Sequence, residues 1–155
     1  MFLKGDTMHA AQVQLVQSTF EQVRPLVEAV AAMFYDRLFA IDPSTRPLFK
    51  GDLQKQCLML MSAIGLVVNG LDRPETIIPM VQNMGQRHVG YGVTSDHYTS
   101  VGDALLWSLE QVLGASFTPE VQAAWVTAYG LLASIMQAAA AETTGAALAT
   151  TPAPA

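Results

Sequence analysis

A single cysteine in 155 residues excludes an internal disulfide and any zinc site built from thiolates. Cys57, the one present, reads as a small buried apolar residue rather than a reactive thiol. Positive charge is scarce too: 8 lysines and arginines stand against 13 acidic residues, a net charge of −5. Nucleic-acid binding depends on Lys and Arg neutralising phosphates, so no nucleic-acid partner is expected, and an anionic membrane surface is disfavoured for the same reason. The longest apolar stretch lies between Leu58 and Leu71 and is interrupted by Ser62 and Asn69. It falls short of the roughly 20 residues that a membrane span takes. Residues 1–7 carry Lys4 but neither a long apolar segment nor a small-residue cleavage site, so no secretory signal is expected. A soluble cytoplasmic protein without a membrane partner is the expectation. Phosphate loops, dinucleotide fingerprints, nucleophile elbows and zinc-helix motifs are also missing.

What is present is apolar and helical. Apolar residues make up 51% and charged residues 14% of a chain long enough to bury one core. Val13, Val16, Phe20, Val23 and Val27 recur at helical spacing, and Ala31, Phe34, Tyr35, Leu38 and Phe39 continue past Pro25, which can start a new helix or bend the old one. Asp42-Pro43 opens a short turn-like helix over 44–49. Leu53, Cys57, Leu60, Met61, Ile64 and Val68 line a longer one. Ile77, Val81 and Met84 lead to His88, after which Gly90 and Gly92 end the helix. Ser95 or Asp96 can cap the next, which Gly114 stops, and Thr118-Pro119 is a strong start for the last. No period-2 strand appears. The expectation is an all-α domain over 1–142, followed by a flexible Ala/Thr/Pro-rich tail over 143–155.

His88 is one of three histidines, and it sits where a helical pattern breaks into a Gly-rich turn. Two readings of such a residue are open. A cationic His at a helix C-terminus complements the helix dipole and caps it. A neutral imidazole in the same place can ligate a metal from one side and is the usual protein ligand for haem iron.

The surrounding stretches decide between them by resemblance. Met33-Phe34-Tyr35-Asp36-Arg37-Leu38-Phe39, then Pro43 through Phe49, Gln86-Arg87-His88 with Tyr91-Gly92-Val93, His97-Tyr98, and Ala124-Trp125-Val126-Thr127-Ala128-Tyr129 occur in an order and spacing that resemble the globin family. The similarity covers roughly residues 10–138 and is of the kind seen in bacterial single-domain globins and the haem domains of flavohaemoglobins. It implies a three-over-three helical sandwich enclosing haem b, with His88 as the iron ligand. Phe49 then looks like the ring that stacks on the porphyrin. Tyr35, Gln56 and Leu60 look like the distal residues. A diatomic ligand on ferrous iron takes up partial negative charge, which the Tyr35 hydroxyl and the Gln56 amide can meet with hydrogen bonds, while Leu60 restricts the space. Gln54 lies only two residues from Gln56, but Gln56 is the one a turn before Leu60. Met84 is expected beneath the porphyrin and Arg87 at a propionate, where a guanidinium pairs well. Val93 and Leu105 are expected as lining, Tyr98 on the side of His88, and His97 exposed.

One departure bears on function. Flavohaemoglobin-like proteins often bond the proximal histidine into a network of a tyrosine and a glutamate, which strengthens its donation to iron. Tyr98 matches the tyrosine, but Ala140 stands where the glutamate should be, and Glu142 is about half a turn away. The resemblance therefore implies reversible binding of O₂, NO or CO for transport, storage or scavenging. The alternatives are an NO dioxygenase served by an external reductase, since the sequence carries no reductase segment, and a gas or redox sensor acting through a protein partner.

Overall fold

The structure is a computed structural model that describes residues 8–49, 51–90 and 93–150. The side chains of Cys57 and of residues 143–150 lie outside that description, as do Tyr91, Gly92 and the end of the chain from 151. Among the described residues six α-helices follow one another: α1 (Ala10–Val23), α2 (Val27–Ile41), α3 (Leu53–Asn69), α4 (Pro74–Gly90), α5 (Ser95–Leu113) and α6 (Pro119–Thr150). Short 3-10 turns occupy Arg24–Leu26, Pro43–Leu48 and Gly114–Ser116. Among the described residues there is no strand.

Local chemistry sets most boundaries. Pro25 lies in the turn between α1 and α2, so it restarts the helix rather than bending it. The Asp52 carboxylate accepts the Gln54 N–H at the start of α3, and Thr118 Oγ1 accepts the Val121 N–H ahead of Pro119. Gly114 ends α5 with φ +53°, a conformation glycine adopts without strain. The start of α5 departs from expectation. Thr94 is its N-cap, not Ser95 or Asp96, because the His97 ring reaches back to the Thr94 N–H. The backbone of α6 is helical to Thr150, past the expected end of the domain at Glu142. Alanine, frequent here, is the best helix former, and it outweighs the threonines.

The helices cross as two layers, α1, α3 and α4 against α2, α5 and α6. α1 lies across α6, where the Trp125 indole N–H donates to Thr19 Oγ1 at 2.9 Å and that hydroxyl donates to the Leu15 carbonyl at 2.6 Å. α2 buries Val30, Ala31, Phe34, Tyr35 and Leu38, chiefly against α5. α6 is long and apolar enough over Pro119–Glu142 to cross a bilayer, and that apolarity fills the core through Ala124, Trp125, Ile135 and Met136.

α4 and α6 pack backbone against backbone. A Cβ on Gly85 would lie 2.3 Å from the Met136 carbonyl oxygen and 2.7 Å from its Cα. Both partners there are backbone, which cannot turn aside. α3 leans on α2 instead and meets α4 only marginally, so the two open a crevice. Gly85→Ala is expected to lower unfolding stability by about 1–3 kcal/mol, because relief requires the helices to separate. Urea denaturation of the full chain checks this, and an unchanged midpoint refutes the close packing.

Candidate functional site

The crevice between α3 and α4 has a volume of about 400 Å³. Lys55, Leu58, Met59 and Leu66 line it from α3, and Met80, Met84 and Arg87 from α4. Met59 is 64% exposed and Leu66 58%, although both are large apolar side chains. Apolar groups gathered open to solvent at one cleft mark a ligand surface more often than an idle one. Lys55 and Arg87 add positive charge, so the crevice suits a flat apolar ligand that carries acid groups.

His88 follows Arg87 directly, one turn beyond Met84. Its Nδ1 lies 2.6 Å from the Met84 carbonyl oxygen. A carbonyl only accepts, so Nδ1 carries the proton and Nε2 the lone pair of a neutral ring. Burial pushes the His88 pKa below its ordinary value, the Met84 bond opposes that, and the Arg87 charge adds to it. The ring is therefore held in its ligating tautomer. Among the described residues no three His, Cys, Asp or Glu side chains gather as a metal site. A metal on His88 must bring most of its other ligands with it.

Tyr35 is buried within an aromatic cluster. Its ring meets Phe49 edge-on at 4.8 Å and Phe34 at 5.2 Å, and Phe39 completes the group beneath the Arg46 guanidinium. Gln56 and Leu60 are half-buried on α3, Leu60 against the core. Val93 is half-buried, and its N–H donates to the His88 carbonyl. Leu105 is buried in the core. Of the expected site residues, Met84 and Arg87 line the crevice and His88 is bonded to Met84. Tyr35 and Phe49 pack on each other, and neither they nor Gln56, Leu60, Val93 and Tyr98 are among the crevice-lining residues. Sequence reasoning missed Lys55, Leu58, Met59, Leu66 and Met80. The signal was a second apolar stripe on α3, opposite the one that packs on the core.

Tyr98 Oη is buried and makes no hydrogen bond among the described residues. The expected bond from this phenol toward His88 is thus replaced by the Met84 carbonyl. The Tyr129 hydroxyl donates to the Tyr98 backbone carbonyl, and burial first, then Tyr98 and Asp103, hold its proton far more tightly than usual. Ala140 is half-buried and Glu142 exposed.

A polar junction joins the Pro43–Leu48 turn to α5. Asp42 Oδ1 accepts from the Ser44 N–H at 3.2 Å and from its hydroxyl at 2.5 Å, and Oδ2 accepts from Ser100 Oγ at 2.7 Å. His97, expected to be exposed, is half-buried here, its Nε2 3.3 Å from Ser44 Oγ. The Ser100 bond, then Ser44, holds the Asp42 carboxyl below the usual carboxylate range.

Comparison with known proteins places these features in context. The Globin family profile matches residues 32–136. A flavohemoprotein of Bordetella parapertussis is 34% identical over 125 residues, 79% of this chain and 31% of the relative. One of Bacillus subtilis is 32% identical over 124 residues, 78% of this chain and 31% of its own length. The chain thus spans about a third of the length of the curated relatives it matches. Among solved structures, an engineered carbene transferase of Rhodothermus marinus, assigned as a nitric oxide dioxygenase, superposes with a TM-score of 0.82 at 29% identity, covering 92% of this chain and 99% of that one.

Two outcomes follow from the polar groups. Tyr98→Phe should leave stability unchanged or raise it by up to about 1 kcal/mol, since it removes an unmet buried hydroxyl, whereas Tyr129→Phe should cost about 1 kcal/mol. Urea titration separates them, and a clear loss in Tyr98→Phe contradicts the assignment. Asp42 ionises at lower pH folded than unfolded, so its contribution is complete above the ordinary value near 3.8 and disappears as pH falls through the folded value. Asp42→Asn should lower the melting temperature at neutral pH and flatten its fall in acid.

Proposed function

The chain belongs to the globin family, and from that premise we propose that it holds haem b through His88 and reversibly binds O₂ and other small ligands such as NO and CO. The observation that carries this reading is the 2.6 Å bond from His88 Nδ1 to the Met84 carbonyl. It fixes the proton on Nδ1, and with burial disfavouring a second proton it leaves the lone pair on Nε2, the form in which histidine ligates iron. The crevice supports it, for a porphyrin is a flat apolar macrocycle with two carboxylates and supplies the other metal ligands itself. Met84 and Met80 present apolar surface, and Arg87 and Lys55 offer charge for the propionates. When bound, ferrous haem supplies an open coordination position for a diatomic molecule.

The chain's own residues then set what happens there. Tyr35 and Gln56 contribute an O–H and an N–H donor from α2 and α3, Leu60 limits the room, and Phe49 presents its ring from the corner. On the other side the acceptor for His88 is an uncharged carbonyl rather than a carboxylate. A carboxylate would draw the Nδ1 proton and give the ring imidazolate character, which favours breaking an O–O bond. A carbonyl does not, and that favours holding a ligand and releasing it again.

A second reading is an NO dioxygenase served by a reductase, supported by the flavohemoprotein relatives and by the assignment of the Rhodothermus marinus protein. The reductase can be a further part of a longer chain or a separate protein.

Absorption spectra of the purified chain in ferric, ferrous and O₂-exposed states test haem binding and coordination together. His88→Ala should lose the normal Soret band, and a mutant with an unaltered spectrum rules out the ligand assignment. Tyr35→Phe and Gln56→Ala should each release O₂ about tenfold to a hundredfold faster, the equivalent of a charge-assisted hydrogen bond of about 1.5–3 kcal/mol. Unchanged rates in both variants sink the donor role. Rapid NO consumption once a reductase is supplied distinguishes the dioxygenase.

A further inference from the structure

We infer that His97 is a positioning residue, whose imidazole clamps the segment following His88 to the corner that carries Phe49. Its Nδ1 accepts the Thr94 N–H at 3.0 Å, which requires the lone pair there and so places the proton on Nε2. Nε2 lies 3.3 Å from Ser44 Oγ and donates to it, and Ser44 Oγ donates in turn to Asp42 Oδ1. Every donor in the run faces the same way. Ser100, on the turn of α5 that follows His97, adds a second bond to the same carboxylate.

Each end of the run leads to a residue of the proposed site. On one side Thr94 adjoins Val93, whose N–H donates to the His88 carbonyl, so the start of α5 is tied back to His88. On the other side Ser44 sits in the turn Pro43–Leu48. Thr45, fully buried, anchors that turn, and the Phe49 N–H closes it on the Arg46 carbonyl. Phe49 is thereby presented edge-on to Tyr35. His97 acts on these site residues through the two pieces of backbone it joins. The clamp rests on the haem-globin reading only for what the two pieces flank.

Two substitutions separate clamping from helix capping. A Gln at position 97 can accept the Thr94 N–H and also donate to Ser44, whereas a Glu caps equally well but cannot donate. In the haem-loaded full chain, His97→Glu and Ser44→Ala should lose haem to an acceptor globin about threefold to tenfold faster, the worth of one hydrogen bond. His97→Gln should stay within about twofold of wild type. The C–O stretch of the CO complex should shift in His97→Glu and Ser44→Ala alone. Equal behaviour of His97→Gln and His97→Glu reduces His97 to a cap and overturns the clamp. A chain that takes up no haem defeats the functional reading instead. The clamp is then read in the unloaded full chain by NMR, where an Nε2–H tautomer of His97 and slow exchange of the Thr94 amide uphold it, and an Nδ1–H tautomer overturns it.

Discussion

The contact of α4 with α6 at Gly85 and Met136 is the constraint on which the site depends. Backbone meets backbone there at a distance no side chain could occupy, so α4 is committed to α6 along its length. Having spent that face on α6, α4 has little left for α3, which packs on α2. The crevice is the geometric result. His88 lies three residues past Gly85, so the helix that forms one wall also carries the candidate ligand in a fixed orientation.

The chemistry of the site is set by how few charges are near it. The His88 Nδ1 proton goes to a backbone carbonyl of its own helix, and the phenol that could have competed, Tyr98, is buried without a hydrogen-bond partner among the described residues. Ala140 offers no carboxylate. Desolvation, a neutral acceptor and the Arg87 charge act together on the ring, and the first and last disfavour an added proton. The crevice beside it is apolar, with Lys55 and Arg87 as the cationic residues on its walls. The charged group that is firmly tied down, Asp42, stands away from the crevice at the junction of the corner with α5. The structure thus confines its strong polar bonding to the joints and leaves the crevice apolar.

Helical periodicity and capping chemistry made much of the fold legible from the sequence. Thr118-Pro119, Gly114 and the Pro25 break act through a few neighbouring residues, so their effect can be read without knowing what packs where. Membership of the globin family was likewise legible through the order of the motifs that flank His88. Thr94 was missed as a cap because its partner is a histidine ring rather than the usual Glu or Gln. The second stripe of α3 was missed because Leu58, Met59 and Leu66 resemble core residues until the neighbouring helix is seen to stand away.

The sequence by itself determined that the chain is helical and where most helices begin and end, since these depend on spacing along the chain. Tertiary structure alone decided which apolar face of α3 is left open, and that His97 reaches Ser44 across 53 residues. Those are matters of distance between elements, and distance is settled by the packing of backbones such as Gly85 against Met136, which no local pattern encodes.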